Sequence, residues 1–168
     1  MSTKIDLHKI VEKENVSIFQ RELKKSPERV NECDRTGTSL LQISSLIGNL
    51  EIVTILLSND PPAQVNQTDR DGKTALHSAS SSGRASIAEL LIEYGGSINC
   101  ASSSGWTPLH CCCINGNLDV AMLLVEKGSV CVGDKQGHTP LYYAARYNQQ
   151  VNPTCNPKCV TTSLTLNL

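Results

Sequence analysis

The chain has 168 residues, of which 39% are hydrophobic, and its formal net charge is -1 at pH 7. A near-neutral charge provides no strong field for DNA, RNA or an anionic membrane, so we expect no nucleic-acid partner and no membrane insertion. The N-terminal sequence M-S-T-K-I-D-L-H-K has no apolar signal core, and no stretch approaches the roughly 18 apolar residues that span a bilayer. These properties predict a soluble protein of the cytoplasm or nucleus.

Residues 1–33 contain two short apolar patterns at helical spacing. The apolar residues between Leu7 and Val11 form the first pattern and those between Ile18 and Leu23 form the second, with Lys and Glu at the outer positions. The patterns predict a helix pair that covers one end of a longer helical array. A membrane-surface helix is the alternative, but the mixture of acids and bases favours the helix pair.

A short phrase that begins with glycine recurs four times along the rest of the chain. It reads G-W-T-P-L-H from Gly105 and G-H-T-P-L-Y from Gly137, with less regular copies from Gly37 and Gly72. The four glycines are 35, 33 and 32 residues apart. This period predicts a stack of small similar units rather than one globular core.

Each copy of the phrase predicts the start of a helix pair. Gly105 is placed for a turn with positive φ, Thr107 for capping the next helix and Pro108 for its first position. A short helix of small residues follows, and then a second helix with apolar residues at three- and four-residue spacing. In the first copy Ser39 can cap in the same way. The predicted units span residues 34–68, 69–101, 102–133 and, incompletely, 134–148.

The phrase T-P-L-H at a period of about 33 residues resembles the signature of the ankyrin-repeat family. The resemblance implies an all-α solenoid of stacked helix-turn-helix units with β-turn or hairpin loops. It also implies that residues 1–33 form a degenerate N-terminal capping repeat. His77 and His110 then have a structural role, with their rings hydrogen-bonded to the turn and to the neighbouring repeat.

The repeat pattern stops after Asn148. Pro153 and Pro157 exclude a continuous helix where the second helix of the fourth unit should follow. We therefore expect residues 149–168 to be an irregular, disordered tail, and the chain beyond about Tyr147 to be cut readily in limited proteolysis. The missing helix indicates a truncated or alternatively ended form of a longer protein.

Eight cysteines raise the question of a metal site. The resemblance places Cys112 and Cys113 at small-residue positions packed between repeats, and consecutive helical residues point about 100° apart, too far for one metal ion. Cys131 is expected at an inward position. Cys155 and Cys159 are spaced C-x-x-x-C, and neither a second pair nor a His pair completes a zinc site. We expect no metal, no cofactor and free thiols in a reducing compartment.

The sequence contains none of the common catalytic templates. It lacks a G-x-x-x-x-G-K-[ST] loop, a G-x-S-x-G elbow and an H-E-x-x-H helix, and His110 and Cys111 diverge as neighbours on one helix. We therefore predict no enzyme, which a turnover screen would test. The resemblance implies instead a monomeric interaction module or adapter for a partner protein. The alternative is the targeting fragment of a longer signalling, ubiquitin-ligase or channel protein without its effector domain.

In ankyrin proteins the turn tips and the exposed side of the first helix form a concave strip that binds the partner. The residues at these positions are Arg35, Thr38, Arg70, Asp71, Lys73, Ser103, Ser104, Trp106, Lys135, Gln136, His138, Arg146 and Tyr147. Trp106, the only tryptophan, either anchors the partner or covers a neighbouring turn. As an anchor, its change to Ala should weaken binding by more than about 1 kcal/mol and leave thermal stability nearly unchanged.

Overall fold

The computed structural model describes residues 6–147, which form two layers of short helices. The inner layer of this range contains α1 Leu7–Glu12, α3 Leu40–Ile47, α5 Ala75–Ser81, α7 Pro108–Asn115 and α9 Pro140–Arg146. The outer layer contains α2 Val16–Lys25, α4 Leu50–Leu57, α6 Ala85–Glu93 and α8 Leu118–Glu126, and a short 3₁₀ helix, Pro27–Asn31, follows α2. Each helix packs on the next helix of its own layer, so the pairs stack in chain order.

The connections between the units are turns, and the described residues contain no strand beyond an isolated bridge between Cys33 and Ser39. In the second unit, the N–H of Gly72 donates to the carbonyl of Asp69 at 3.0 Å and closes the turn. Gly105 has a φ of 85° in the equivalent turn of the third unit, as its position in the phrase predicts. The expected all-α repeat fold is confirmed.

The apolar core lies between the two layers and continues along the stack. Helix α4 buries Ile52, Val53, Leu56 and Leu57, and the other outer helices repeat this spacing. Burial of each large aliphatic side chain stabilises the fold by about 1.5 to 3 kcal/mol. Because each internal helix pair buries its apolar surface against two neighbours, stability depends on stacking.

Small side chains line the contacts between successive inner helices. Ser44, Ala79, Cys112 and Ala144 occupy equivalent positions, and each is at most 2% exposed. Side chains of this size allow neighbouring helix axes to approach closely. Close packing of the inner helices therefore brings the turn tips of consecutive units near one another.

The cysteine triplet of α7 belongs to this packing. Cys112 and Cys113 are buried, which confirms the prediction, and Cys111 is buried with them. Burial raises the pKa of the Cys111 thiol to about 11 and that of Cys112 well above its ordinary value. These thiols are therefore protonated at neutral pH. Cys131 is only partly buried, rather than fully inward, because the loop that carries it is open to solvent.

Candidate protein-binding surface

The predicted partner-binding residues lie on the turn tips and at the end of α9, and we call the set the binding strip. The exposed members are Arg35, Arg70, Asp71, Ser103, Ser104, Lys135, Gln136, Arg146 and Tyr147. The partly exposed members are Thr38, Lys73, Trp106 and His138. Every member of the binding strip thus has surface available, and its role in binding stays a prediction.

A side-chain oxygen at the start of each turn fixes the shape of the turn tip. Oδ1 of Asp69 accepts the N–H groups of Asp71 and Lys73, both at 2.9 Å, and the aspartates of the first and fourth turns accept equivalent pairs. In the third turn Ser102 replaces the aspartate, and its hydroxyl accepts the N–H of Trp106 at 3.1 Å. The third turn tip therefore keeps its shape without a carboxylate.

Main-chain hydrogen bonds join neighbouring turn tips. The N–H of Ser103 donates to the carbonyl of Asp71 at 2.7 Å, and the N–H of Lys135 donates to the carbonyl of Ser104 at 3.1 Å. The backbones approach so closely that a Cβ added to Gly105 would lie 2.7 Å from the nitrogen of Lys135. The second, third and fourth turn tips of the binding strip are thus joined through their backbones, which lowers the entropy lost when a partner binds.

Four polar side chains of the inner helices, which we call the joint side chains, link each unit to the next turn. They are His8, Gln42, His77 and His110. The Nε2 atoms of the three histidines lie 3.0 to 3.1 Å from main-chain carbonyl oxygens of the next turn, and the Gln42 amide donates to another at 2.7 Å. These bonds confirm the structural role implied for His77 and His110.

The protonation of two joint side chains follows from their partners. Nδ1 of His77 accepts the N–H of Thr74 at 3.1 Å, and Nδ1 of His110 accepts that of Thr107 at 3.1 Å. Since Nδ1 accepts in both rings, Nε2 carries the proton that is donated to the carbonyl. Burial lowers the pKa of both histidines, although the carbonyl bonds oppose this effect. Both rings are neutral and buried, so neither presents a base to a substrate.

Trp106 is tied to the fourth unit. Its Nε1–H donates to Oδ2 of Asp134 at 3.2 Å, and its ring packs edge-on against Tyr143 with centroids 5.2 Å apart. The indole therefore does cover a neighbouring turn, while its partly exposed surface remains on the binding strip. Because of these contacts we now expect Trp106→Ala to reduce stability as well as binding, and the effect on stability stays a prediction.

Asp134 is a buried carboxylate that accepts four hydrogen bonds. Oδ1 accepts the N–H groups of Gln136 and His138, both at 2.9 Å. Oδ2 accepts from Trp106 at 3.2 Å and from the hydroxyl of Tyr143 at 2.7 Å. Burial opposes ionisation, but these bonds, the Tyr143 bond first among them, lower the pKa of Asp134 below its ordinary value. The carboxylate is ionised, and its hydrogen-bonding capacity is taken up by the protein.

Tyr143 is missing from the predicted binding strip. It occupies the position that Ile43, Ser78 and Cys111 hold in the preceding units, and only 9% of it is exposed. The one aromatic residue at this repeat position was the available sequence signal. Its contact with Trp106 depends on stacking of the third and fourth units.

An inner depression of about 280 Å³ lies over the inner helices beside the turn tips. Leu46 and Ile114 line it from α3 and α7, Cys111 also borders it, and Trp106 and Lys73 form part of its rim. Leu46 is 52% exposed, which is unusual for a leucine of a helix that faces a core. The inner depression is therefore an apolar hollow open to solvent.

A tip depression of about 490 Å³ lies among the turn tips. Its lining includes Lys73, Ser104, Trp106, Lys135 and Tyr143. Lys73 and Trp106 thus border both depressions and form their common wall. The two hollows together give the binding strip a site for an apolar group beside a site for a polar group.

Helix pairs that stack in chain order around a shared core define a helical-repeat solenoid. The family model described as ankyrin repeats (3 copies) matches residues 7–102 and 94–152. The chain belongs to the ankyrin-repeat family, whose members are generally protein-interaction modules and typically not enzymes. No curated protein matches the chain.

Two further observations apply to residues 6–147 only. No helix in this range is long and apolar enough to cross a bilayer. Nor does the range contain a group of three or more His, Cys, Asp or Glu side chains that could hold a metal ion. Cys155, Cys159 and the tail of residues 149–168, whose disorder the sequence predicts, lie outside the described residues.

Proposed function

We propose that this protein is a monomeric, non-enzymatic adapter that binds a partner protein with the binding strip. The observation that carries the proposal is the position of Trp106, which is partly exposed and forms the wall between two hollows on backbone-linked turn tips. Tryptophan is one of the residues that are enriched at binding hot spots. A prearranged surface of this kind binds with little loss of conformational freedom.

The chemistry of the groups at the binding strip supports binding rather than catalysis. The Cys111 thiol beside the inner depression is protonated, and the ring of His77 is committed to two main-chain partners. Asp134 accepts four hydrogen bonds from its own chain. None of these three groups is an activated nucleophile or base that faces the depressions.

We further propose that the adapter works in the cytoplasm or nucleus. Cys33, Cys100, Cys111 and Cys112 are free thiols, and Cys33 is exposed. A reducing compartment keeps exposed thiols in this state. Fluorescence microscopy of the full chain with a small tag tests this proposal, and accumulation in the secretory pathway would contradict it.

Site-specific photo-cross-linking in cells tests the binding strip directly. A photoreactive amino acid replaces Gln136 on the fourth turn tip in one variant and Glu89 on outer helix α6 in a control variant, and both positions are exposed. We expect a discrete protein adduct from position 136 and none from position 89. The captured protein, once purified, must then bind the unmodified chain and lose affinity when Gln136 is changed to Glu.

The comparison between the two positions decides the outcome. Equal adducts from positions 136 and 89 would show that capture does not depend on the binding strip. Adducts from position 89 alone would place the interaction on the outer helices and overturn the proposal.

A further inference from the structure

Charge is segregated between the internal helices of the two layers, α4, α6 and α8 on the outside and α3, α5 and α7 on the inside. Outer helices α4, α6 and α8 carry five exposed carboxylates and no Lys or Arg; these are Glu51, Glu89, Glu93, Asp119 and Glu126. Inner helices α3, α5 and α7 carry no Asp, Glu, Lys or Arg. The small net charge of the chain therefore hides an acidic surface on α4, α6 and α8, whereas outer helix α2 carries Arg21, Lys24 and Lys25 beside one acid, Glu22.

The available charges of the binding strip are cationic. Arg35, Arg70 and Lys135 are exposed, and among the described residues no carboxylate pairs with them. Lys73 is paired with Asp71 at 3.7 Å, in an exposed contact that costs little to exchange. The binding strip thus offers guanidinium and ammonium groups on its first, second and fourth turn tips and on α9, whereas the third turn tip presents Ser103, Ser104 and Trp106.

The carboxylates near these cations are occupied within their own turns. Asp134, which borders the tip depression, accepts four hydrogen bonds, and the aspartate of the second turn binds two N–H groups of its turn tip. The third turn has Ser102 at the aspartate position. The tip depression therefore lies between two lysines, Lys73 and Lys135, without an exposed carboxylate in its lining.

The floor beside these cations exposes mainly apolar surface, although Asp69, whose carboxylate binds its own turn, also borders it. The inner depression is bordered by Leu46, Ile114 and the indole of Trp106. It opens next to Lys73, which it shares with the tip depression. A ligand that reaches both hollows needs an apolar group and an anionic group close together.

We propose that the binding strip takes an extended, acidic segment of a partner protein, with one apolar side chain in the inner depression and carboxylates at Lys73, Lys135 and the arginine tips. This inference rests on the proposed function, for which it names the class of partner. The acidic helices α4, α6 and α8 repel the same segment, so the charge pattern also disfavours binding to the part of the outer face that they form. Neighbouring helices pack about 10 Å apart, so four turn tips span about 30 Å, which about nine extended residues cover at ~3.3 Å each.

Selection from a random peptide library displayed on phage tests the inference with the full chain as target. Enriched peptides are synthesised and titrated while the emission of Trp106 is followed, since the only tryptophan borders both depressions. We expect peptides rich in Asp and Glu around a large apolar residue. Because exposed charges are screened over about 10 Å at 0.1 M salt, affinity should fall as salt is raised.

Two charge-reversal variants locate the site. Lys135→Glu changes a lysine of the tip depression, whereas Lys127→Glu changes an exposed lysine at the end of α8. We expect Lys135→Glu to weaken binding of the selected peptides at least about fivefold, because it replaces attraction of their carboxylates by repulsion, and Lys127→Glu to leave binding nearly unchanged. Circular dichroism confirms that both variants remain folded.

The outcomes separate this inference from the proposed function. Neutral or basic peptides that alter Trp106 emission would overturn the acidic partner and leave the binding strip as the proposed site. An equal loss of peptide affinity in both variants would also overturn the inference. If NMR with the selected peptides shows amide chemical-shift changes only in the outer helices, the proposed function is overturned as well. Failure to enrich any peptide over an unrelated control protein would rule out a short acidic segment as the ligand.

Discussion

At the scale of single residues, equivalent positions do the same structural task with different chemistry. Gln42 accepts the N–H of Ser39 at 2.8 Å and donates to the Lys73 carbonyl at 2.7 Å, which is the pair of bonds that His77 makes one unit later. An amide cannot be protonated in the range where imidazole is. Gln42 therefore shows that glutamine can replace a histidine among the joint side chains and remove the pH dependence of its contribution to stability.

We predict that the double variant His77→Gln, His110→Gln loses less stability in acid than the wild type. Burial lowers the pKa of both rings below the ordinary value of 6.5, so the unfolded chain binds protons first as pH falls. Their contribution is complete above about pH 6.5, decreases below it and levels off below the folded-state pKa. Urea unfolding across this range measures the slope. Equal slopes for variant and wild type would show that these rings do not control it.

A buried hydroxyl predicts a gain in stability. Oγ of Ser45 is buried and has no hydrogen-bond partner among the described residues, whereas Oγ of Ser44 donates to the Leu41 carbonyl at 3.1 Å. We expect Ser45→Ala to raise the free energy of unfolding by about 1 kcal/mol, because it removes an unpaired polar group and favours the helix. Ser44→Ala is the control, with a change within about 0.5 kcal/mol. Urea unfolding compares the two, and equal gains would contradict the explanation.

Trp106→Ala should reduce both stability and binding. The change removes the edge-on contact with Tyr143 and one of the four donors to Asp134, and we expect a loss of about 1.5 to 3 kcal/mol in the free energy of unfolding. Tyr143→Phe removes a donor to the same carboxylate but keeps a ring against Trp106, so it serves as a control for the hydrogen bond alone. An unchanged unfolding midpoint for Trp106→Ala would show that the indole stabilises nothing.

At the scale of elements, the turns depend on their neighbours as well as on their own sequence. Gly105 and Gly137 open the same phrase and have φ values of 85° and 79°. A Cβ at Gly105 would meet the main chain of Lys135, whereas at Gly137 no described atom lies within 4 Å. The same sequence motif therefore tolerates an added side chain differently at Gly105 and at Gly137.

We predict that Gly105→Ala is more damaging than Gly137→Ala. Both changes place a Cβ in the left-handed region at about 1 to 2 kcal/mol, and the clash at Gly105 adds about 1 to 3 kcal/mol. Chemical denaturation of the two variants gives the difference. Equal losses would mean that the fourth turn also has a close neighbour.

The phrase predicts the beginnings of helices because each beginning is local. Ser39 accepts the N–H of Gln42 at 3.2 Å, as its position predicts, and Pro108 and Pro140 begin α7 and α9. The cluster of Trp106, Asp134 and Tyr143 could not be predicted in the same way. It joins residues 28 positions apart whose distance depends on how two units stack. The sequence of a repeat thus predicts where its own helices begin. The packing between repeats decides which surface side chains also stabilise the fold.

At the scale of the whole molecule, internal units have neighbours on both sides and the ends of the described stack do not. Helices α5 and α7 each pack between two inner helices, while α1 and α9 pack mainly against one within residues 6–147. In a linear array the free energy of local opening follows the number of such interfaces. Stability should therefore vary along the chain rather than be uniform.

We predict that amide hydrogen exchange is slowest in α5 and α7 and at least about tenfold faster in α1 and α9, a difference of about 1.4 kcal/mol. Native-state exchange followed by NMR resolves the helices individually. Uniform protection from α1 to α9 would indicate that the stack opens as one cooperative unit.

The joint side chains end on main-chain carbonyl oxygens of Thr38, Lys73, Trp106 and His138. Every residue has such an oxygen, so the hydrogen bond from a joint side chain does not depend on which side chain the accepting residue carries. Threonine, lysine, tryptophan and histidine all stand at this point without altering the bond. The fold therefore separates assembly of the stack from recognition of a partner. Side chains at the turn tips can change, and with them the binding specificity, while the joint side chains and their hydrogen bonds remain the same.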